Sequence, residues 1–389
     1  MSRNSVMQRG TSIAFYIDSL KLGGAERVLL QWADWCKQAG WFVVVLTRQS
    51  VDADAYPFPL GIERMVEPPD SRWLLALGWW GFPFRIFRLR RIFKRRHFHV
   101  VVGVTTLPAV KILLANWGGD SVCVACERNY PPAKPPSLIW RFLRRITYPW
   151  ADLHIVQTRL AGEWLSRNCH SKRQLLLPNP ILWPLPCHSP RVDPHDWVPD
   201  KAPVLLAAGT KAHQKGFDLI VEVFRLLAKR RPDLRLVLLG LHSTIYHGEN
   251  QQVAMRRHLG DPELQARLLM PGPVGNMADW YQRATLFVLP SRYEGFPNVL
   301  LEAMAAGCAC IASDCPTGPA EIIRPGIDGV LLPLGAGREV WASCLEGLLA
   351  NPEERQRLGI SATSVRQRFN ASELQHRLLK TLADLNANG

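Results

Sequence analysis

Ser291-Arg-Tyr-Glu-Gly-Phe-Pro-Asn-Val-Leu-Leu-Glu-Ala-Met-Ala-Ala-Gly307 is the stretch on which the reading of this chain turns. It holds two carboxylates, Glu294 and Glu302, with seven residues between them. Pro297 suits the first position of a helix: its φ is already near the helical value, and its missing N–H would have had no partner there. Gly307 suits the helix end, because glycine enters the left-handed region without a Cβ clash. The apolar runs 284–291 before it and 308–313 after it predict buried strands. The unit is therefore strand, loop, helix, strand, with one acid in the loop and the other on the helix. The first N–H groups of a helix lack intrahelical acceptors and favour an anion such as a phosphate. An anion cradle flanked by two hydroxyl-gripping carboxylates suits a nucleotide sugar.

The same alternation runs along the chain. Residues 11–17 predict a strand, 18–27 a loop containing Gly23 and Gly24, 28–38 a helix, and 41–47 the next strand. Such a βαβ unit implies a parallel sheet with right-handed crossovers, whose ligands bind outside the carboxyl ends of the strands. Gly23-Gly24 lets the backbone approach a ligand closely. It lacks G-x-G-x-x-G spacing, so it makes no specific case for a dinucleotide, and a plain tight turn is the bland reading. Strands follow at 99–103, 121–126 and 153–158, with helices at 107–115, 137–147 and 159–168. Glu127 and Arg128 stand directly at a strand's carboxyl end, where ligands bind, although a structural salt bridge would place them there equally well.

A proline-dense, aperiodic run over 178–194 marks the boundary between two domains. A second α/β pattern begins with strand 203–209, loop 210–216, helix 217–227 and strand 234–240. The division expected is an N-terminal domain over 1–180, a linker over 181–200, a C-terminal domain over 201–365, and a helix over 366–389 that packs back toward the N-terminal domain. The length of 389 residues fits two domains.

The net charge of +14 is uneven. Residues 1–200 hold 26 Lys/Arg against 15 Asp/Glu, and the remainder hold 21 against 18. The first half therefore points to an anionic partner: membrane lipid, lipid phosphate or nucleic acid. Its basic residues concentrate in Arg85–Arg96, seven among twelve, directly after the aromatic run 71–84. On a helical wheel Phe82, Ile86, Leu89 and Phe93 share a stripe, with Arg88, Arg91 and Arg95 opposite. That is the pattern of an interfacial membrane helix, and equally of a helix docked on its own domain with a solvated basic face. No nucleic-acid-binding module surrounds it, so nucleic acid is not expected as a partner. No apolar run reaches the ~20 residues of a membrane span. Residues 1–10 lack the apolar core of a signal peptide, and nine scattered cysteines fit a reducing compartment. Cys123-Val-Ala-Cys126 has no second ligand pair at finger spacing and lies in a strand-like run, which argues against a zinc or redox site there.

Three motifs together resemble the retaining glycosyltransferases of family 4: Gly23-Gly-Ala-Glu-Arg27, Gly209 through Lys215-Gly-Phe-Asp218, and Glu294-Gly-Phe-Pro-Asn-Val-Leu-Leu-Glu302 with Ala305-Ala-Gly307. The last is similar to that family's E-x7-E motif. The resemblance covers about residues 11–385 and implies the α/β GT-B architecture, two Rossmann-like domains with parallel sheets facing across a cleft. It implies that Glu302 bonds the ribose hydroxyls of a UDP-sugar and that Glu294 lies by the donor sugar. Backbone N–H groups of Gly295, Phe296, Asn298 and Val299 would hold the sugar and diphosphate, with Gly209 and Thr210 lining the donor loop. Lys215 would neutralise the leaving diphosphate, without a metal or other cofactor.

The Gly-Gly-Ala-Glu-Arg form of the first loop resembles the subgroup that builds lipid-linked oligosaccharides and surface polysaccharides. That implies a lipid-linked glycan acceptor at the cytoplasmic face of a membrane, met by Gly23, Gly24, Arg88, Arg91 and Arg95. The sequence departs from the family twice. Thr210 stands where the family usually has arginine, and Glu127-Arg128-Asn129 stand where it often has a histidine, which makes Glu127 and Arg128 candidates for that role. A soluble sugar or polysaccharide acceptor is the alternative enzymatic reading. A non-catalytic basic protein bound peripherally to membranes is the alternative of another class.

Overall fold

Val, Ile and Leu crowd the strands of the first half, and every residue of Ser12–Ile17 and Val100–Val104 is buried. Strands apolar on both faces need cover on both, which a parallel sheet between helices provides. That is the arrangement in the computed structural model, which describes residues 10–21, 23–242, 245–246 and 248–387. Apart from Gly10, the N-terminal stretch read for a signal peptide lies outside the described residues.

The chain divides into two units, one of residues 1–179 with 372–389 and one of residues 180–371. The first contains β1 (Ser12–Ile17), β2 (Phe42–Thr47), β3 (Glu63–Val66), β4 (Val100–Val104), β5 (Val122–Glu127), β6 (Leu153–Val156) and β7 (Gln174–Leu176). They form one sheet in the order β3-β2-β1-β4-β5-β6-β7, and all pairs are parallel. Phe15 stands opposite Val45 on one side and Val102 on the other. The strand order reverses between β1 and β4, and the crevice at such a switch point is where open α/β sheets take ligands.

The helices of this unit are α1 (Gly24–Gln38), α2 (Arg72–Ala76), α3 (Phe82–Arg96), α4 (Thr106–Ala115), α5 (Leu138–Thr147) and α6 (Arg159–Cys169). Helix α1 starts four residues before the predicted 28, so the glycine loop is short and Gly24 lies in the first helical turn. Glu26 in that turn complements the positive end of the helix. Strand β3 escaped the sequence reading: Glu63-Arg-Met-Val is half charged and lies at the sheet edge, half-buried. The C-terminal helix Ala371–Ala387 buries Leu374, Leu378 and Leu382, and Arg377 Nη2 donates to the Leu176 carbonyl at 2.7 Å.

The second unit contains β8 (Val204–Ala208), β9 (Arg235–Leu239), the short ribbon β10 (Ile245–Tyr246) with β11 (Glu249–Asn250), β12 (Leu268–Gly272), β13 (Leu286–Leu289), β14 (Cys310–Asp314) and β15 (Val330–Pro333). Its main sheet is parallel in the order β12-β9-β8-β13-β14-β15. Its two outer strands are β12 and β15. Residues 181–200 run along this unit. Ile181 N donates to Phe369 O at 2.9 Å, and Trp280 Nε1 to Val192 O at 3.0 Å.

A buried histidine makes the first unit sensitive to acid. His154 in β6 has Nδ1 2.8 Å from Ser171 Oγ, and its Nε2 meets no partner among the described residues. Burial pushes its pKa down from 6.5 to about 4. Below pH 6.5 the unfolded chain takes up a proton that the folded chain refuses until near pH 4, so stability falls through that window as pH falls. The expected loss is roughly 3 kcal/mol. Urea unfolding followed between about pH 7 and about pH 4.5 checks this, and His154→Gln is expected to flatten the pH slope. An unchanged slope in that variant would place the acid sensitivity elsewhere.

Candidate active site

The quoted stretch folds as the sequence dictates. Strand β13 ends at Leu289, a loop carries Ser291 to Phe296, and the helix Asn298–Ala305 follows with Pro297 as its N-cap. That helix closes as expected for a glycine at the end. Gly307 has φ of 85°, its N–H donates to Met304 O at 3.0 Å, and Cys308 N donates to Ala303 O at 3.0 Å.

The loop and helix bring the two acids to different environments. Glu294 is buried and accepts from Lys215 Nζ at 2.7 Å and from Ser291 Oγ at 2.6 Å, both at Oε1. Its backbone is fixed as well: Glu294 N donates to Pro316 O at 3.2 Å and Thr317 N to Glu294 O at 3.1 Å. Glu302 is buried on the helix and accepts from the Tyr281 hydroxyl at 3.1 Å. The same hydroxyl donates to the Val299 carbonyl at 3.1 Å. Lys215 and Glu294 thus form a held cation–anion pair beside a helix start, with a second carboxylate further along the helix.

Lys215 reaches Glu294 because two glycines leave it room. It ends a single helical turn, α7 (Ala212–Lys215), before α8 (Phe217–Ala228). Gly216 between them has φ of 66°, and a Cβ there would lie 2.0 Å from the Pro290 carbonyl oxygen. A Cβ on Gly209 would lie 2.6 Å from Lys215 Cγ, so the lysine stem runs over a bare backbone. Arg292 laces the two loops together, pairing with Asp218 and donating to His213 O at 2.6 Å. Thr210 contributes its carbonyl, which accepts from Gln251 Nε2 at 3.2 Å, and Lys211 is exposed. Gly295 O accepts from Thr317 Oγ1 at 3.0 Å.

In the first unit, Gly23 caps α1 with an extended backbone, and its N–H and carbonyl both bond the Tyr56 hydroxyl, at 3.1 and 2.9 Å. Glu127 ends β5 inside the unit. Its carboxylate accepts from Thr106 Oγ1 at 3.0 Å and from the Tyr148 hydroxyl at 2.6 Å, with Arg144 at 3.7 Å. Burial raises the Glu127 pKa against the pull of Arg144 and its hydrogen bonds. Arg128 is also buried, over the Trp32 ring, with Nη2 donating to Asn179 Oδ1 at 2.6 Å. Burial lowers its pKa only to about 10, so it stays cationic at neutral pH. Its Nε and Nη1 have no partner among the described residues. An unspent pair of donors on a buried cation suits an anionic or hydroxyl ligand.

The basic helix behaves differently from its wheel. Leu89 and Phe93 are buried, as the stripe requires. Arg88, however, turns to Asp70 at 2.9 Å and to the Pro68 carbonyl at 2.9 Å, while Arg85 donates to the other Asp70 oxygen at 2.8 Å. Arg91 and Arg95 are exposed. The wheel of one helix could not show an acid 18 residues upstream of Arg88.

The same unit has an open cavity of about 710 Å³ at the carboxyl ends of β1, β2 and β3. Trp79, Phe82 and Trp140 line one part, and both Trp79 and Phe82 meet Trp140 edge to face. Elsewhere lie Tyr16, bonded to Glu67, and Lys111, 2.6 Å from Asp18. Aromatic faces beside carboxylates and a lysine suit a sugar: rings cover its C–H face while the charged groups take its hydroxyls.

Comparison with known proteins decides the family. Residues 22–181 match Glycosyltransferase Family 4, and residues 194–365 match Glycosyl transferases group 1. The chain belongs to these glycosyltransferases. Among relatives of this glycosyltransferase chain is GalNAc-alpha-(1->4)-GalNAc-alpha-(1->3)-diNAcBac-PP-undecaprenol alpha-1,4-N-acetyl-D-galactosaminyltransferase of Campylobacter jejuni, 25% identical over 96% of this chain and 98% of that protein. D-inositol 3-phosphate glycosyltransferase of Xylanimonas cellulosilytica is 30% identical over 48% of this chain, and the match spans 43% of that protein, less than half its length. HepE of Anabaena, solved in complex with UDP-glucose, superposes with a TM-score of 0.77 at 16% identity, over 96% of this chain and 99% of HepE. That likeness shows the fold, two parallel-sheet α/β domains of the GT-B kind.

Within this glycosyltransferase fold, the motif residues Lys215, Glu294 and Glu302 fall in one unit as the sequence grouped them. Ser291 and Tyr281, which hold the two acids, were not singled out from the sequence. Ser291 lay inside the quoted stretch. Tyr281 sits in an ordinary helix, and no local pattern marks it. The cavity wall was half visible, in the aromatic run that contains Trp79 and Phe82, but nothing in the sequence joins Trp140 to it.

Proposed function

We propose that this glycosyltransferase is a retaining hexosyltransferase that moves a hexose or N-acetylhexosamine from a UDP-sugar to a membrane-held, polyprenyl-diphosphate-linked oligosaccharide in surface glycan biosynthesis. One observation carries the reading: the half-buried Lys215 paired with buried Glu294 at 2.7 Å, set at the loop that opens the Glu302 helix. Glu302 takes the ribose hydroxyls. The helix start and Lys215 face the diphosphate, where negative charge grows as the sugar–oxygen bond breaks. Glu294 orients Lys215 and touches the donor sugar. The acceptor hydroxyl attacks on the face from which the diphosphate departs, so the anomeric configuration is kept. Gly295, Phe296, Asn298 and Val299 supply backbone N–H groups to the sugar and diphosphate, and no metal is needed for this.

The acceptor side draws on the first unit. The cavity with Trp79, Phe82 and Trp140 receives the acceptor sugar, and Gly23, Gly24 and Arg128, which follow the carboxyl ends of β1 and β5, complete the acceptor side. The undecaprenol-linked acceptor in the name of the Campylobacter relative supports a lipid-linked glycan. Arg91 and Arg95 meet phosphates at the cytoplasmic face of the membrane, where the enzyme sits peripherally. No helix among the described residues is long and apolar enough to cross a membrane.

The test is transfer of radiolabel from a UDP-sugar into the organic phase of a membrane-lipid extract. Labelled lipid is expected, and label left entirely in water would count against a lipid-linked acceptor. Arg91→Glu with Arg95→Glu is expected to raise acceptor KM at least about thirtyfold, two charges near an anionic leaflet being worth ~1 kcal/mol each. An unchanged KM would assign those arginines to solvation.

A further inference from the structure

Helix α5 docks on its own unit through Trp140 and Leu143 and leaves a second apolar face exposed. Leu138 is 76% exposed and Phe142 64%, and Ile139 and Ile146 are also exposed. At 3.6 residues per turn these four side chains fall within an arc of roughly 100°. Exposed Arg141 and Arg145 border that arc on one side. The inward face holds buried Arg144 and Thr147 beside Trp140 and Leu143, which pack on the core of the unit.

Helix α3 and the segment before it repeat the pattern. Trp80 is 82% exposed and Phe87 64%, and Trp73, Leu75 and Phe84 are exposed with them. Phe84 and Phe87 share the outward side of α3 with exposed Arg91 and Arg95, opposite the buried Leu89 and Phe93. The two exposed groups are joined, because Trp140 of α5 packs edge to face on Trp79 and on Phe82 at ring distances of 5.7 and 5.4 Å. An apolar surface this extensive, bordered by arginines, marks an interaction face.

We propose that α5, with the Trp73–Phe87 segment, inserts into the interfacial layer of an anionic bilayer. Leu138, Ile139, Phe142, Trp80 and Phe87 would enter the acyl boundary, while Arg141, Arg145, Arg91 and Arg95 stay at the phosphates. The charge decides the occupant: apolar side chains bordered by arginines complement an anionic lipid surface. The contact is hydrophobic insertion, beyond the electrostatic adsorption that the basic residues of α3 alone provide. It deepens the membrane-held acceptor reading and rests on it. The aromatic rings that join the two inserting segments also line the cavity, which places the sugar pocket next to the lipid surface.

Flotation of the full chain with phosphatidylcholine vesicles, with and without phosphatidylglycerol, tests this at about 0.1 M and about 1 M salt. The chain is expected to float with anionic vesicles and to keep part of that binding at high salt. Ile139→Ser with Phe142→Ser is expected to lower partitioning at least tenfold at both salt levels, and Trp80→Ser severalfold. Binding by these variants equal to the unsubstituted chain would overturn the proposal. So would binding that vanishes at high salt, or a solution dimer that Ile139→Ser with Phe142→Ser dissociates. UDP release from a UDP-sugar with detergent-dispersed lipid acceptor separates the two readings. If the function proposed above holds, the variants keep that activity whether or not they bind vesicles.

Discussion

Glu302→Ala is expected to lower kcat/KM for the UDP-sugar by about 10²–10⁴. The carboxylate is buried on the helix Asn298–Ala305, where it accepts from the Tyr281 hydroxyl. Hydrogen bonds to a charged acceptor are worth about 1.5–3 kcal/mol each, and two ribose hydroxyls give about 3–6 kcal/mol of donor binding. Each ~1.4 kcal/mol is a factor of ten in rate. The substitution should unfold little, because the Tyr281 hydroxyl keeps the Val299 carbonyl at 3.1 Å as an acceptor. Steady-state kinetics with UDP affinity and a melting curve on the same variant check both halves. Undiminished transfer by Glu302→Ala would refute the ribose role.

Lys215→Ala should act on a different constant. If the ammonium stabilises the departing diphosphate, its loss removes an interaction that strengthens in the transition state, and kcat is expected to fall about 10²–10³ with KM little changed. Glu294 would keep Ser291 Oγ at 2.6 Å, so the loop is expected to hold its shape. Gly209→Ala offers an independent route to the same defect. Its Cβ would meet Lys215 Cγ at 2.6 Å and Cε at 2.7 Å and push the lysine aside. A kcat deficit in both variants, with donor affinity nearly intact, is the expected signature. An effect of Lys215→Ala confined to acceptor KM would contradict it.

The donor half was legible in the sequence because its chemistry is local. Pro297, Gly307 and the spacing of Glu294 and Glu302 fix a loop and a helix within one short stretch. Gly209 and Gly216 show where the backbone must stay bare for Lys215. The parallel sheets were legible for a similar reason, since strands buried on both faces such as β4 and β8 read as unbroken apolar runs. What the sequence hid is contact between distant segments. Glu63-Arg-Met-Val carries too little apolar pattern to announce an edge strand. Arg88 read as a cation facing acceptor phosphates or solvent, and Asp70 lies 2.9 Å from it. Glu127 stood at a strand end as a ligand-rim acid would, yet its carboxylate is taken up by Thr106, Tyr148 and Arg144. Helix α5 read as one more basic helix, because composition counts its arginines and does not say which side of it faces the sheet.

Nucleotide release tests donor use most directly. The measurement is nucleoside diphosphate set free from UDP-, GDP- and ADP-hexoses and N-acetylhexosamines by the full chain with a membrane-lipid extract, run beside Glu302→Ala. The predicted result is UDP released from one UDP-sugar, dependent on the extract and abolished by the substitution. No release from any UDP-sugar, or equal release by Glu302→Ala, would contradict it.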